Sequence, residues 1–237
     1  MATAVIELAT PATLDSAFAG ADTLMLVSGS EVGQRTQQHA NAIAAAGRSG
    51  ISRIVYTSVP HADTSALILA PEHQATEQAL RESGIPFTVL RNNFYTENFL
   101  PAMTQAAASG THADSTRGGL VASASRIDFA EAAAVTLVTT GHENATYELS
   151  GDHAWDGAGL AAAMATVLGT PVVYSPLTPQ EHAAALTAAG LDADTVGFIL
   201  ALDDGIHDGL LGETTGDLVE LIGRPTTPLV EGLRAGR

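Results

Sequence analysis

Three short apolar runs, each followed by a polar loop and a stretch with helical spacing, constrain this chain more than any other feature. Thr23-Leu24-Met25-Leu26-Val27, Arg53-Ile54-Val55-Tyr56-Thr57-Ser58 and Phe87-Thr88-Val89-Leu90 are continuous rather than alternating, the pattern of strands buried on both faces of a sheet. Between them lie an Ala-rich helix from about Gln34 to Ala46, stopped at Gly47 and Gly50, and a helix after Pro71. The latter carries Glu72, Ala75, Ala79 and Leu80 at helical spacing and ends on Gly84. Ahead of the first run, Thr10-Pro11 reads as an N-cap with proline at the first helical position, opening a helix through Leu14 and Phe18 to Gly20. This order predicts a parallel sheet with helices on both faces and right-handed crossovers. Ligands of such sheets lie beyond the carboxyl ends of the strands. Those ends are Ser28-Gly29-Ser30, Thr57-Ser58-Val59-Pro60-His61 and Arg91-Asn92-Asn93-Phe94-Tyr95.

Beyond residue 110 the pattern loosens. Asp128 with Glu131 three residues on reads as a capping box opening an Ala/Val helix. Tyr147-Glu148-Leu149 reads as a short strand ending at Gly151-Asp152, and Leu160 to Leu168 as a helix stopped by Gly169. Val172-Val173-Tyr174 follows as a strand, and Thr178-Pro179-Gln180-Glu181 repeats the cap signature before one more helix. The acidic run Leu202–Asp208 reads as a solvated turn.

Composition narrows the chemistry. All ten basic residues are arginine, which removes a Schiff-base lysine, a P-loop lysine and a Tyr-x-x-x-Lys dyad. No cysteine is present, so disulfides, thiolate metal sites and thiol nucleophiles are excluded. The eight histidines show no paired ligand spacing, and no metal site is expected. A formal charge of −16 opposes binding to nucleic acid or to an anionic membrane. With no signal-like start and no apolar run long enough for a membrane helix, the expected setting is the cytoplasm.

Two loops are candidate sites. Gly29 and Gly33 bracket Ser30-Glu31-Val32, but the spacing is not Gly-x-Gly-x-x-Gly and Glu31 would repel a phosphate, so a pyrophosphate cradle is not expected. The loop remains readable as a backbone contact to a nucleotide or as an ordinary strand-to-helix turn. In Arg91-Asn92-Asn93-Phe94-Tyr95-Thr96-Glu97-Asn98-Phe99, two asparagines, three aromatics and an arginine cluster in a chain that is only 5% aromatic. That density points to a ligand-facing segment, with aromatic packing under a C-terminal lobe as the other reading. His61, at the ligand edge, and His73, in the first turns of a helix on the same side, are candidate proton donors near neutral pH.

The run Leu24 to Gln34, Tyr56-Thr57-Ser58 with His61-Ala62-Asp63-Thr64, and Leu90 to Asn98 resembles the NmrA-like atypical short-chain dehydrogenase/reductases. Within them the likeness is to bacterial NAD(P)H-dependent quinone oxidoreductases. Arg126 to Ala130, Tyr147-Glu148-Leu149, Gly151-Asp152 and Pro225-Thr226-Thr227 extend it over the chain. The resemblance implies a Rossmann-like doubly wound parallel sheet and a small mixed α/β C-terminal lobe. It implies NADP(H) as cofactor, with NAD(H) open, and direct hydride transfer to a small quinone. Ser28, Gly29 and Ser30 would contact the adenosine side, and Asn92, Asn93, Phe94, Tyr95, Thr96 and Glu97 would line the nicotinamide and quinone pocket. Tyr95, His61 and His73 are the candidate catalytic residues. Members of the family begin with a strand, a glycine-rich turn, a helix and a second strand, and this chain starts near the third strand, roughly one βαβ unit and its connection later. A start assigned too far downstream and a true truncation are the competing accounts. The expected organisation is an incomplete dinucleotide-binding domain over 1–110, rejoined by 120–150, and a substrate lobe over 151–237. A non-catalytic dinucleotide-sensing regulator that binds a protein partner, or an inactive remnant, is the alternative. A homodimer stays open.

Overall fold

The computed structural model describes Leu8 and residues 11–236; the Thr10 cap expected above lies outside the described residues. The chain is α/β and divides into two compact units. The first takes the chain up to Thr64, then Leu69–Asn92 and Ala132–Glu148. The second takes Ser65–Ile68, Asn93–Glu131 and the chain from Leu149 onward.

The first unit is built on β1 (Thr23–Leu26), β2 (Arg53–Ser58), β3 (Phe87–Asn92) and β5 (Ala145–Leu149), in the order β1-β2-β3-β5. β1 and β2 run parallel with Leu26 opposite Tyr56, and β2 and β3 run parallel with Ser58 opposite Arg91. The continuous apolar runs are explained for β2 and β3, whose last five residues are all buried. β1 is only partly buried, since among the described residues β2 is its one strand neighbour, and Val27 beyond it is 61% exposed. Helices α1 (Pro11–Phe18), α2 (Arg35–Arg48) and α3 (Ala70–Ser83) pack their apolar faces against these strands. Leu14, Phe18, Ala42, Ile43, Ala46, Ile54, Tyr56, Leu80 and Val89 form the core there. α2 runs past Gly47, and Gly50 is the residue that takes the left-handed turn, at φ 73°. α3 ends on Gly84 at φ 70°, as its sequence predicts.

The second unit carries a two-stranded parallel sheet of β4 (Thr111–Asp114) and β6 (Val173–Pro176). Around it lie α4 (Leu100–Ser109), α6 (Gly157–Leu168), α7 (Pro179–Ala188), α8 (Ala193–His207), α9 (Asp217–Ile222) and α10 (Leu229–Ala235). Met103, Ala106, Leu160, Met164 and Leu233 form its apolar cluster. The capping box of α7 is present as read, with Thr178 and Glu181 bonded reciprocally. α5 (Arg126–Val138) starts one turn before the expected position. Ser125 Oγ accepts Asp128 N–H at 3.2 Å and donates to Asp128 Oδ2 at 2.8 Å, so Asp128 lies inside the first turn and Ser125 is the cap. The acidic run Leu202–Asp208 is not a solvated turn: it forms the end of α8, with Asp203 buried. Among the described residues no helix is long and apolar enough to cross a membrane.

Candidate active site

Beyond the carboxyl end of β1, the Ser28–Ser30 loop is fixed from within its own unit. Ser28 N–H donates to Thr57 Oγ1 at 2.8 Å and Gly29 N–H to His39 Nε2 at 3.2 Å. Buried Arg35 donates to the Gly29 carbonyl at 2.7 Å and to Glu72 at 3.3 Å, while Glu72 also accepts Gly33 N–H at 2.9 Å. With the Ser28, Gly29 and Gly33 amides occupied, the loop is no anion nest, in keeping with its missing glycine pattern. What it presents is the exposed Ser30, the half-buried Ser28 and Gly29, and the exposed apolar side chains of Val27 and Val32.

Behind this loop His39 and His73 are buried in a neutral network. His39 Nδ1 lies 3.0 Å from Thr76 Oγ1, and His73 Nδ1 lies 2.7 Å from the Tyr56 hydroxyl. Burial, and secondarily the Arg35 charge, pushes His39 down to about 4 and His73 to about 3. Burial likewise pushes the Tyr56 hydroxyl up. His73, a candidate proton donor in the sequence, is therefore a neutral core residue holding Tyr56 and not an acid near neutral pH.

β3 extends two residues further than its apolar run, so Arg91 and Asn92 lie in the strand and not in a ligand loop. Arg91 is buried and meets three carboxylates. Its Nε and Nη2 donate to Glu77 at 2.9 and 2.7 Å, and its Nη1 lies 2.8 Å from Glu148 and 2.9 Å from Asp63. Burial alone would favour the neutral guanidine, but the hydrogen bonds to Glu77 and Glu148 outweigh it and push Arg91 up. Burial would also raise Asp63, yet the Arg91 charge and hydrogen bond hold its carboxyl below the usual range. His61, immediately past β2, has a half-exposed side chain, and its ring Nδ1 lies 3.4 Å from Glu148. A signal for Glu77 exists in the sequence: it occupies the buried stripe of α3 with Ala70, His73 and Leu80, a phase where a carboxylate needs a partner.

In the second unit, residues 93–99 mainly hold structure. Asn93 accepts Phe94 N–H at 2.6 Å and donates to the Leu211 carbonyl at 3.1 Å. Thr96 is buried and bonds Ser123 at 2.9 Å. Glu97 accepts Arg126 N–H with both carboxylate oxygens at 3.0 Å, bracing the start of α5. Phe94 packs against Phe99 at 5.4 Å, and Phe99 meets Trp155 edge-on at 4.7 Å, so the aromatic-packing reading holds for these rings. Tyr95 stacks near Phe129 at 5.2 Å with the Arg126 guanidinium 5.5 Å from its ring centre.

Sequence reasoning missed a buried polar cluster at β4. Asp114 accepts Thr116 N–H and Oγ at 3.0 and 2.7 Å and the Tyr174 hydroxyl at 2.9 Å, and lies 3.1 Å from His112. Burial would raise Asp114, but the His112 and Thr116 hydrogen bonds outweigh it and hold the carboxyl at about 2. Next along the chain, Asp203 accepts Ser115 N–H and Oγ at 2.9 and 2.6 Å and lies 2.8 Å from His182 Nδ1. A cavity of about 60 Å³ opens here, lined by Phe99, Trp155, Val121 and Leu160 along with these carboxylates. Ser115, His182 and Asp203 do not form a nucleophile triad, because the carboxylate takes the serine proton directly and a single ring nitrogen, His182 Nδ1, faces both Ser115 Oγ at 3.2 Å and Asp203 at 2.8 Å.

The NAD(P)H-binding family matches residues 1–140. Quinone oxidoreductase 2 of Escherichia coli (strain K12) is 44% identical over 222 residues, which is 94% of this chain and 78% of that protein. The crystal structure of the NADPH-dependent quinone oxidoreductase from Escherichia coli complexed with NADPH matches with a TM-score of 0.92 at 42% identity, covering 97% of this chain and 81% of that one. The Citrobacter sp. triphenylmethane reductase complexed with NADP(H) matches with a TM-score of 0.91 at 35% identity, covering 98% and 82%.

Proposed function

Because the chain belongs to the NAD(P)H-binding family, we propose that it is an NADPH-dependent reductase that converts a small quinone to its hydroquinone. The observation that carries this reading is the identity with the E. coli quinone oxidoreductase along nearly the whole chain. We assign dinucleotide binding to the unit built on the four-stranded sheet, which also holds His61.

The residues beyond β1 fit the adenosine end of a dinucleotide. Ser28 and Ser30 offer hydroxyls for a ribose, and exposed Val27 and Val32 offer apolar surface for a base, with the Gly29 backbone between them. The Ser28, Gly29 and Gly33 amides do not fit a pyrophosphate, being bonded to Thr57, His39 and Glu72 respectively. When bound, the reduced nicotinamide supplies a hydride. The chain's part is to position and to manage one proton. Asn92, at the end of β3, and the segment Asn93–Glu97 are assigned to cofactor contact in their respective units. Tyr95 is assigned to the acceptor, its ring braced by Phe129 and Arg126. His61 is assigned the proton, since His73 is held neutral by burial. A cytoplasmic setting goes with this reading, as the place where a diffusible dinucleotide is reduced and reused.

The test is loss of NADPH absorbance with a simple benzoquinone as acceptor. Turnover that saturates in both substrates supports the reading. A folded protein that NADPH stabilises against heat without turning over any small quinone would instead be a dinucleotide sensor.

A further inference from the structure

His61 holds φ at 47°, a left-handed conformation that non-glycine residues rarely adopt. Such backbone persists only where its surroundings over-determine it, and it gathers at functional sites. Two contacts hold it here: a turn in which Thr64 N–H donates to the His61 carbonyl at 2.8 Å, and Glu148. One carboxylate oxygen accepts His61 N–H at 3.1 Å, and the other lies 3.4 Å from His61 Nδ1. That second oxygen also accepts Arg91 Nη1 at 2.8 Å. Arg91 is gripped from behind by Glu77, which in turn accepts Ser58 Oγ at 2.7 Å and Arg81 Nη2 at 3.0 Å. The chain of contacts runs from a ring 43% exposed to a carboxylate 1% exposed, all within one unit and at the carboxyl ends of β2, β3 and β5. Glu77 is shared with Arg81, so Arg91 draws on Glu148 and Asp63 as well. Glu148, held in place by Arg91, in addition accepts the backbone N–H of His61 and faces its ring.

We propose that Glu148, anchored by Arg91, is a positioning residue that holds the His61 imidazole with its proton on Nδ1, so that Nε2 is the nitrogen exchanging a proton with the quinone oxygen. This rests on the reductase reading above. The acceptor gains one hydride and one proton to become the hydroquinone. The hydride and its electron pair come from the nicotinamide, which is left oxidised, and the proton leaves Nε2–H of the imidazolium, which water then reprotonates. A carboxylate on one ring nitrogen sets the tautomer and aims the other, the same division of labour that second-shell carboxylates perform for ligand and base histidines elsewhere.

The first readout needs no cofactor. In the full chain labelled with 15N-histidine, with the His61 signals assigned by their loss in His61→Gln, the wild-type ring is expected as the Nδ1–H tautomer at high pH. Glu148→Ala should return it to the Nε2–H form that unconstrained histidines favour. In quinone turnover, His61→Gln is expected to lower kcat about a hundredfold, in the range of positioned proton transfer. Glu148→Ala should lower it about tenfold with KM for NADPH unchanged, as supporting carboxylates do. Glu148→Gln, which keeps the side-chain volume but only one of the two acceptor oxygens that His61 N–H and Nδ1 use, should fall between wild type and Glu148→Ala and guards against an alanine variant that fails to fold. An Nε2–H ring in the wild type overturns the proposal. So does a Glu148→Ala enzyme whose tautomer switches while kcat stays within about twofold of wild type. Absence of any quinone turnover by the wild type would overturn the reductase reading instead, and the tautomer measurement would still decide whether Glu148 sets the ring.

Discussion

Glu77→Ala should be among the most damaging single changes in the sheet unit. Glu77 is 1% exposed and takes four hydrogen bonds: Ser58 at 2.7 Å and Arg91 Nε at 2.9 Å on one oxygen, Arg91 Nη2 at 2.7 Å and Arg81 at 3.0 Å on the other. Truncation removes the bidentate partner of an arginine whose side chain is only 7% exposed, and it strands the buried Ser58 hydroxyl. Removing one member of a buried ion pair typically costs about 3–5 kcal/mol. Arg91 keeps Glu148 and Asp63, which places this case near the lower end, about 3 kcal/mol. For a chain of this length that corresponds to a melting temperature lower by about 6–12 °C. Glu77→Gln keeps the volume and one oxygen for Ser58 and Arg91 Nε, and should lose roughly half as much. Glu82→Ala, one turn on and exposed, should change stability by less than about 0.5 kcal/mol. Thermal unfolding followed by circular dichroism, with urea midpoints at constant slope, measures all three. A Glu77→Ala protein that melts within about 2 °C of wild type would refute the view that Arg91 depends on this partner.

Two further outcomes follow from the same geometry. Burial first, then the Arg35 charge, holds His39 at about 4 and His73 at about 3, both below the value near 6.5 of an unfolded chain. The unfolded state therefore binds protons first on acidification. Stability is complete above about pH 7 and falls as pH drops from about 6.5 toward 4 and 3, by roughly 1.4 kcal/mol per pH unit for each group. Urea unfolding between pH 6 and 5 should show this slope, and His73→Gln should reduce it by one such increment; a slope identical in the variant would sink the assignment. In the second unit, a methyl on Gly151 would overlap the Ser123 carbonyl oxygen, a backbone atom with no rotamer to yield. Gly151→Ala should therefore destabilise by about 1–3 kcal/mol in a urea titration, and a neutral result would mean that this approach of Gly151 to the Ser123 backbone is not rigid.

The parts of the fold that were legible were those where local chemistry and tertiary context agree. β2, the stop of α3 at Gly84 and the capping box at Thr178 were all readable because an apolar run, a left-handed glycine and a Thr-Pro-x-Glu pattern act within a few residues of themselves. The errors came from information held elsewhere in the chain. β1 has the composition of a central strand, and its exposure follows from the sheet order, in which β2 is its one neighbour among the described residues. Leu202–Asp208 looks like a turn until Ser115 and His182, distant in sequence, supply the partners that let Asp203 enter a helix interior.

The candidate site is only partly legible for a related reason: polar and aromatic density beside a strand points to ligand contact, and much of it also satisfies buried groups. Arg91, Asn93, Thr96 and Glu97 are occupied by Glu77, Leu211, Ser123 and the start of α5. Segments matched through the family resemblance behave alike, since Thr226 exchanges hydrogen bonds with Asp152, and Thr227 donates to Asp128 from both its amide and its hydroxyl. A residue that carries the resemblance therefore marks where a polar group must be satisfied as readily as where a ligand sits. His61 differs from these residues in one respect that no sequence pattern carries. Its backbone is held against its own preference by a carboxylate that also takes its ring, and a histidine needed only for packing gains nothing from that strain.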